Sequence, residues 1–176
     1  LFFNHIKKLE IQQDVIRKEV LSAGPISNTE HIRLTSRKMI EVLVIHSEAE
    51  SFPTNALAEV RDERGSTELD LPPATVQLVL SKDIEHHLYT VLPTDVKPYL
   101  PFSFNGPFIQ DPARKEIKHP ATSPTNQWLL RRIGELGAAA MCAWLENADL
   151  SLHERARAYD FLPTLSTEGG GLNQAC

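Results

Sequence analysis

The chain has only two cysteines among 176 residues, Cys142 and Cys176, too few and too far apart for a disulfide framework or a thiolate metal centre. Cys142 falls in an Ala-, Met- and Trp-rich stretch and reads as a buried thiol. No apolar run approaches the ~20 residues that a membrane-spanning helix needs. Positive charge is not in excess: the net charge is −5 and the pI about 5.8, so nothing global directs the chain to nucleic acid or to an acidic membrane. The nucleophile-elbow, zinc-protease and P-loop patterns GxSxG, HExxH and Walker A are all missing. There is no DxGxG, and the one glycine run lies at 169–171. The chain opens at Leu1 without a signal-peptide layout, which predicts a cytoplasmic piece of a longer protein.

What remains is a chain with enough apolar residues, 41%, for one core. Residues 1–12, 14–21, 31–36 and 39–45 read as strands of an antiparallel sheet. The last of them, MIEVLVI, is nearly continuous in apolar character and predicts a central strand. Residues 53–64 carry Ala56, Leu57 and Val60 at helical spacing, with Ser51 or Thr54 as cap and Gly65 as the αL terminator. Residues 75–81 and 87–92 alternate and predict a hairpin, and 102–109 supplies the last strand. A long helix runs from Thr125 to about Glu146, capped by Ser123 with Pro124 in its first turn. Its apolar positions include Trp128 and Trp144, read as anchors on one face. A short helix over 151–161 opens with a Ser151/Glu154 capping box. Strands first and helices last predict an α+β domain over 1–165, a mixed or antiparallel sheet with helices on one face. Residues 166–176 read as a flexible tail.

The segment with most chemical content is 92–128. A proline-rich linker leads into a short apolar strand, a tight Asn105-Gly106-Pro107 turn and the basic loop Asp111-Pro112-Ala113-Arg114-Lys115. Pro107 and Pro112 limit how that loop moves. Other candidates are weaker. His86 and His87 are adjacent, so on a strand they point to opposite faces and suit one metal ion poorly. Arg131 and Arg132 with Arg114, Lys115 and Lys118 form a potential basic patch for nucleic acid, but no aromatics interleave with it. Glu48 with Glu50, and Asp62 with Glu63, read as solvated carboxylates.

Three segments resemble a known family. Residues 1–9 (LFFNHIKKL) look like the strand that follows the ATP-binding domain in sacsin and in bacterial proteins with sacsin-type ATPase modules. Residues 89–94 (YTVLPT) and 100–108 (LPFSFNGPF) are similar to their proline-rich region ending in an Asn-Gly-Pro-Phe-like strand exit. Residues 111–115 (DPARK) and 126–130 (NQWLL) resemble the basic loop and helix start that come next. These ATPases belong to the GHKL superfamily, with the heat-shock-90 chaperones, MutL and type II gyrases. The resemblance implies a transducer, or middle, domain: a sheet with helices on one face that follows an ATP-binding domain in cis. It implies that ATP and Mg are held by that preceding domain, that this chain alone is not an enzyme, and that the full-length protein can be a chaperone-like homodimer. It also implies that Arg114, or failing that Lys115, reaches the γ-phosphate, with Asn105, Gly106, Pro107, Asp111 and Pro112 shaping the loop. Pro112 departs from the small polar residue expected there. A non-catalytic module binding protein or nucleic acid is the alternative.

Overall fold

A computed structural model describes residues 7–11, 14–65 and 70–162. Four strands follow one another along the chain: β1 Lys8–Ile11, β2 Asp14–Ala23, β3 Thr29–Thr35 and β4 Met39–His46. Each pairs antiparallel with the next. The β2–β3 connection is tight: Gly24 N donates to Thr29 O at 2.8 Å. A Cβ on Gly24 would lie 2.1 Å from Thr29 Oγ1, so no larger residue fits. Helix α1 Thr54–Glu63 then crosses to β5 Gln77–Leu80, which pairs antiparallel with β4. Three short strands complete the sheet: β6 Leu88–Thr90, β7 Leu92–Pro93 and β8 Ser103–Asn105. The order is β1-β2-β3-β4-β5-β8-β6-β7, and the sheet is mixed because β6 runs parallel to β8.

The predicted hairpin of 75–81 with 87–92 is therefore not formed. β8 pairs with β5 and lies between it and β6. The strand expected over 102–109 is only three residues long. The predicted strand over 1–12 is described only from Lys8, and its first six residues, like the tail 166–176, lie outside the described residues.

β4 is apolar from Val42 to Ile45 because both of its faces are buried there. Leu43 and Ile45 join Leu78, Phe102, Phe104, Leu129, Leu130 and Ile133 in the main core. Val42 and Val44 form a smaller cluster with Ile32 and Val79 on the opposite face. None of the residues in that second cluster comes from a helix, so the helices cover one side of the sheet. The chief cover is α2 Pro124–Glu146, whose cap Ser123 accepts the Asn126 amide at 3.2 Å with Pro124 in the first turn. Helix α3 Leu152–Ala156 carries the predicted Ser151/Glu154 capping box and continues as a 3-10 turn to Phe161. Gly65 ends α1 at φ +63°. The α1 start differs from expectation: Pro53 holds the cap position and no side chain caps the helix.

α2 differs from expectation at two further points. Trp144 is 4% exposed and packs on Phe161, but Trp128 is only half-buried, against Phe52 and under Arg132. Sixteen residues at 100° each leave the two rings about 160° apart, so they do not share a face. Cys142 is exposed, because it sits midway between the buried Ala140 and Trp144 and points the other way.

Candidate functional site

The basic loop is a closed hairpin-like element built from its own polar groups. An isolated bridge pairs Gln110 with Ile117, Lys118 N donates to Ile109 O at 2.8 Å, and Asp111 N donates to Glu116 O at 3.0 Å. Within it, Arg114 N donates to Asp111 O at 2.9 Å, with Pro112 and Ala113 at the two central turn positions. Proline is well suited to the first of these. The Asp111 carboxylate then cages the tip. Oδ1 accepts from Lys115 N and Glu116 N at 2.9 and 3.0 Å, and Oδ2 from Ala113 N at 3.2 Å. Hydrogen bonds to the amides of Glu116, Lys115 and Ala113 hold this carboxyl below the usual range for aspartate. Arg114 takes φ +57°, an uncommon conformation for a non-glycine residue.

The base of the loop is held from α2. Asn126 is fully buried; its Oδ1 accepts Ile109 N at 2.8 Å, and its Nδ2 donates to Ile109 O and Lys118 O, both at 2.8 Å. Lys118 is committed as well, with Nζ at 2.9 Å from Glu63 Oε1 and 3.0 Å from Glu59 Oε1. These two carboxylates, Glu63 foremost, raise its pKa. Glu59 in turn accepts Ser123 Oγ–H and Thr125 N–H, both at 2.9 Å. Burial pushes the Glu59 carboxyl up, but hydrogen bonds from Thr125, Lys118 and Ser123 outweigh it and bring the pKa below the usual 4.5.

This leaves Arg114 and Lys115 at the tip, both exposed, with no side-chain partner among the described residues. The backbone beneath them is anchored a third time, where Asp95 N donates to Lys115 O at 2.7 Å. The tip borders an open groove of about 1500 Å³ whose walls include Phe52, Pro73, Val91, Phe108 and Arg114.

The residues preceding the loop behave differently from expectation. No tight turn forms at Asn105-Gly106-Pro107. The backbone runs on past β8, none of the three takes a positive φ, and Gly106 N donates to Tyr89 O at 3.3 Å. The glycine is needed for packing, since a Cβ there would press on Phe108 and Val76 at 3.1 and 3.3 Å. Asn105 shapes the neighbouring segment: its Oδ1 accepts Val91 N at 2.9 Å, and its Nδ2 donates to Gln77 Oε1 at 3.0 Å.

The five-residue basic patch does not assemble. Arg132 is 7% exposed and spends its guanidinium on Ala74 O at 2.8 Å, Glu48 O at 2.5 Å, Ser47 Oγ at 3.2 Å and the Glu50 carboxylate at 3.1 Å. It ties α2 to the β4–α1 connection, a role that the Arg131-Arg132 pair gives no sign of in sequence. Glu50 and Glu63, read as solvated, are exposed, and each also joins an ion pair. His87 Nδ1 lies 3.2 Å from Thr94 O, while the half-buried His86 has its pKa lowered by desolvation and by His87. Among the described residues, no group of three His, Cys, Asp or Glu side chains is placed to hold a metal ion, and no helix is long and apolar enough to cross a membrane. Compared with protein-family models, with curated proteins and with solved structures, the chain finds no match.

Proposed function

We propose that this chain is the transducer domain of a GHKL-type, sacsin- and heat-shock-90-like ATPase, and that its basic loop senses the γ-phosphate of ATP bound by a preceding domain. The observation that carries this reading is the tip at Arg114 and Lys115. Two cations without internal counter-ions stand on a loop fixed at its base by Asn126, within by Asp111 and at its flank by Asp95. A loop shaped before its anion arrives loses little entropy on binding it. Arginine offers a planar fork for phosphate oxygens and stays charged when desolvated. A cation supplied to a γ-phosphate contributes about 10³–10⁵ in rate in other phosphoryl-transfer systems. The mixed sheet with helices on one side agrees with the architecture that the resemblance implies.

On this reading Arg114 is the first choice and Lys115 the second, while Lys118 is already neutralised by Glu59 and Glu63. The chain itself has no ATPase activity; ATP and Mg belong to the neighbouring domain, and nucleotide state is coupled to domain closure and dimerisation of a cytoplasmic, chaperone-like protein. The test is Arg114→Ala, Lys115→Ala and the double variant in the full-length ATPase, with turnover and ATP affinity measured separately. A tenfold or greater loss of turnover at little changed affinity supports the reading. Wild-type turnover in all three rejects it.

A second reading, a non-catalytic interaction module, is favoured by the groove beside the tip, with its Phe52, Pro73 and Phe108 walls. It predicts that the isolated chain binds a protein partner without any nucleotide-binding domain, and that Phe108→Ala weakens this more than Arg114→Ala.

A further inference from the structure

Four side chains and one backbone amide form a row across the sheet face opposite the helices. Glu30 on β3 faces His46 on β4, with Oε2 3.6 Å from Nε2. His46 Nδ1 lies 3.1 Å from Gln77 Nε2 on β5, and Gln77 Oε1 accepts Asn105 Nδ2–H from β8 at 3.0 Å. The row ends where Asn105 Oδ1 accepts Val91 N–H at 2.9 Å. The last contact cannot be reversed, because a backbone N–H only donates. Asn105 must therefore turn its oxygen to Val91 and its amide nitrogen to Gln77. Gln77 must accept with its oxygen and donate with its nitrogen. His46 Nδ1 is then an acceptor, so the neutral ring carries its proton on Nε2, a buried atom that has Glu30 Oε2 3.6 Å away but no hydrogen-bond partner.

We propose that this row is a protonation switch, in which a proton added to His46 Nδ1 inverts the Gln77 and Asn105 amides and detaches the Val91 N–H. Once Nδ1 is a donor, Gln77 must face it with oxygen, and Asn105 must follow, which sets Asn105 Nδ2 against the Val91 N–H. Two donors cannot pair, so the Val91 contact opens. Val91 is poised to respond: it is β-branched and sits at φ +76°, a strained conformation that the Asn105 contact helps to hold. Thr90, Val91 and Asn105 also line the large groove, so the charge on His46 sets the shape of a groove wall on the far side of β5. The charged groups that share the hollow around His46 are Glu30 from β3 and Glu48 from the segment after β4, the latter held by Asn28 Nδ2 at 2.7 Å. β2 contributes Val20, Ser22 and Ala23 to that hollow, and β5 presents the neutral Gln77. The inference is independent of the proposed ATPase role.

The experiment is an NMR titration of isotope-labelled protein through the imidazole range, from pH ~8 to ~5. The expected results are an Nε2–H tautomer for His46 at the upper end, and a Val91 amide shift with the same midpoint as the His46 ring. Exchange protection at Val91 falls about tenfold on protonation, the scale of one hydrogen bond. In Gln77→Leu, His46 still titrates but Val91 no longer follows. In His46→Gln, Val91 is silent across the range. An Nδ1–H tautomer, a silent Val91 in the wild type, or a Val91 that still follows in either variant overturns the switch.

Discussion

Asn126 and Ile109 are joined by a reciprocal pair of hydrogen bonds, each 2.8 Å long: the Ile109 N–H donates to Asn126 Oδ1, and Asn126 Nδ2 donates to the Ile109 carbonyl. The side-chain amide thus acts as an extra strand residue, borrowed from the first turn of α2. With its second Nδ2 proton on Lys118 O, it fixes both ends of the basic loop.

Asn126→Ala removes all three bonds and strands buried backbone groups. The expected loss is about 2–4 kcal/mol of stability, at roughly 1–3 kcal/mol for each buried group left unsatisfied with partial relaxation. Urea unfolding measures it, and hydrogen exchange should show the loosening concentrated at Ile109 and Lys118.

Glu59 gives the domain a pH dependence of definite sign. Its folded pKa lies below the usual 4.5, so its contribution is complete above that value and is lost as pH falls through the folded pKa. Glu59→Gln should therefore flatten the decline in stability below pH ~4.5, while lowering stability at pH ~7, where the carboxylate is fully engaged. Urea midpoints of both proteins at several pH values check this. Parallel curves would show that Glu59 contributes nothing.

Trp144 and Trp128 should respond unequally to truncation. Trp144→Ala empties a buried site and is expected to cost about 3–5 kcal/mol. Trp128→Ala removes a half-buried ring and its stacking on Arg132, for about 1–2 kcal/mol. Chemical unfolding of the two variants distinguishes them, and equal losses would contradict the packing.

Arg132→Ala should be among the most disruptive changes outside the apolar core. It leaves the Ala74 and Glu48 carbonyls without their donor, at about 3–5 kcal/mol, as when one member of a buried ionic cluster is lost. Thermal unfolding measures the effect.

The elements that sequence made legible were those with strong local signals. Continuous apolar character placed β4 in the middle of the sheet, Ser123 and Pro124 marked the start of α2, and Gly65 marked the end of α1. The missed features depend on contacts between distant segments. β8 lies between β5 and β6 because Phe104 pairs with both Leu78 and Leu88, a choice that no local pattern specifies. The exposure of Cys142 and the separation of the two tryptophans were in the helical phase, but composition was the wrong guide to them. The loop at 111–115 was visible as chemistry; its clamp was not, since a buried Asn at a helix start looks like any capping-region polar residue. Neither was Arg132, whose partners lie more than fifty residues away.

The most direct measurement is photo-crosslinking of the full-length protein with an ATP analogue carrying the reactive group on its γ-phosphate, followed by peptide mapping. The γ-phosphate contact predicts labelling within residues 110–118, centred on Arg114 and Lys115, that excess ATP suppresses and that Arg114→Ala with Lys115→Ala greatly reduces. Efficient labelling confined to sites outside 110–118, unchanged by the double substitution, would contradict it.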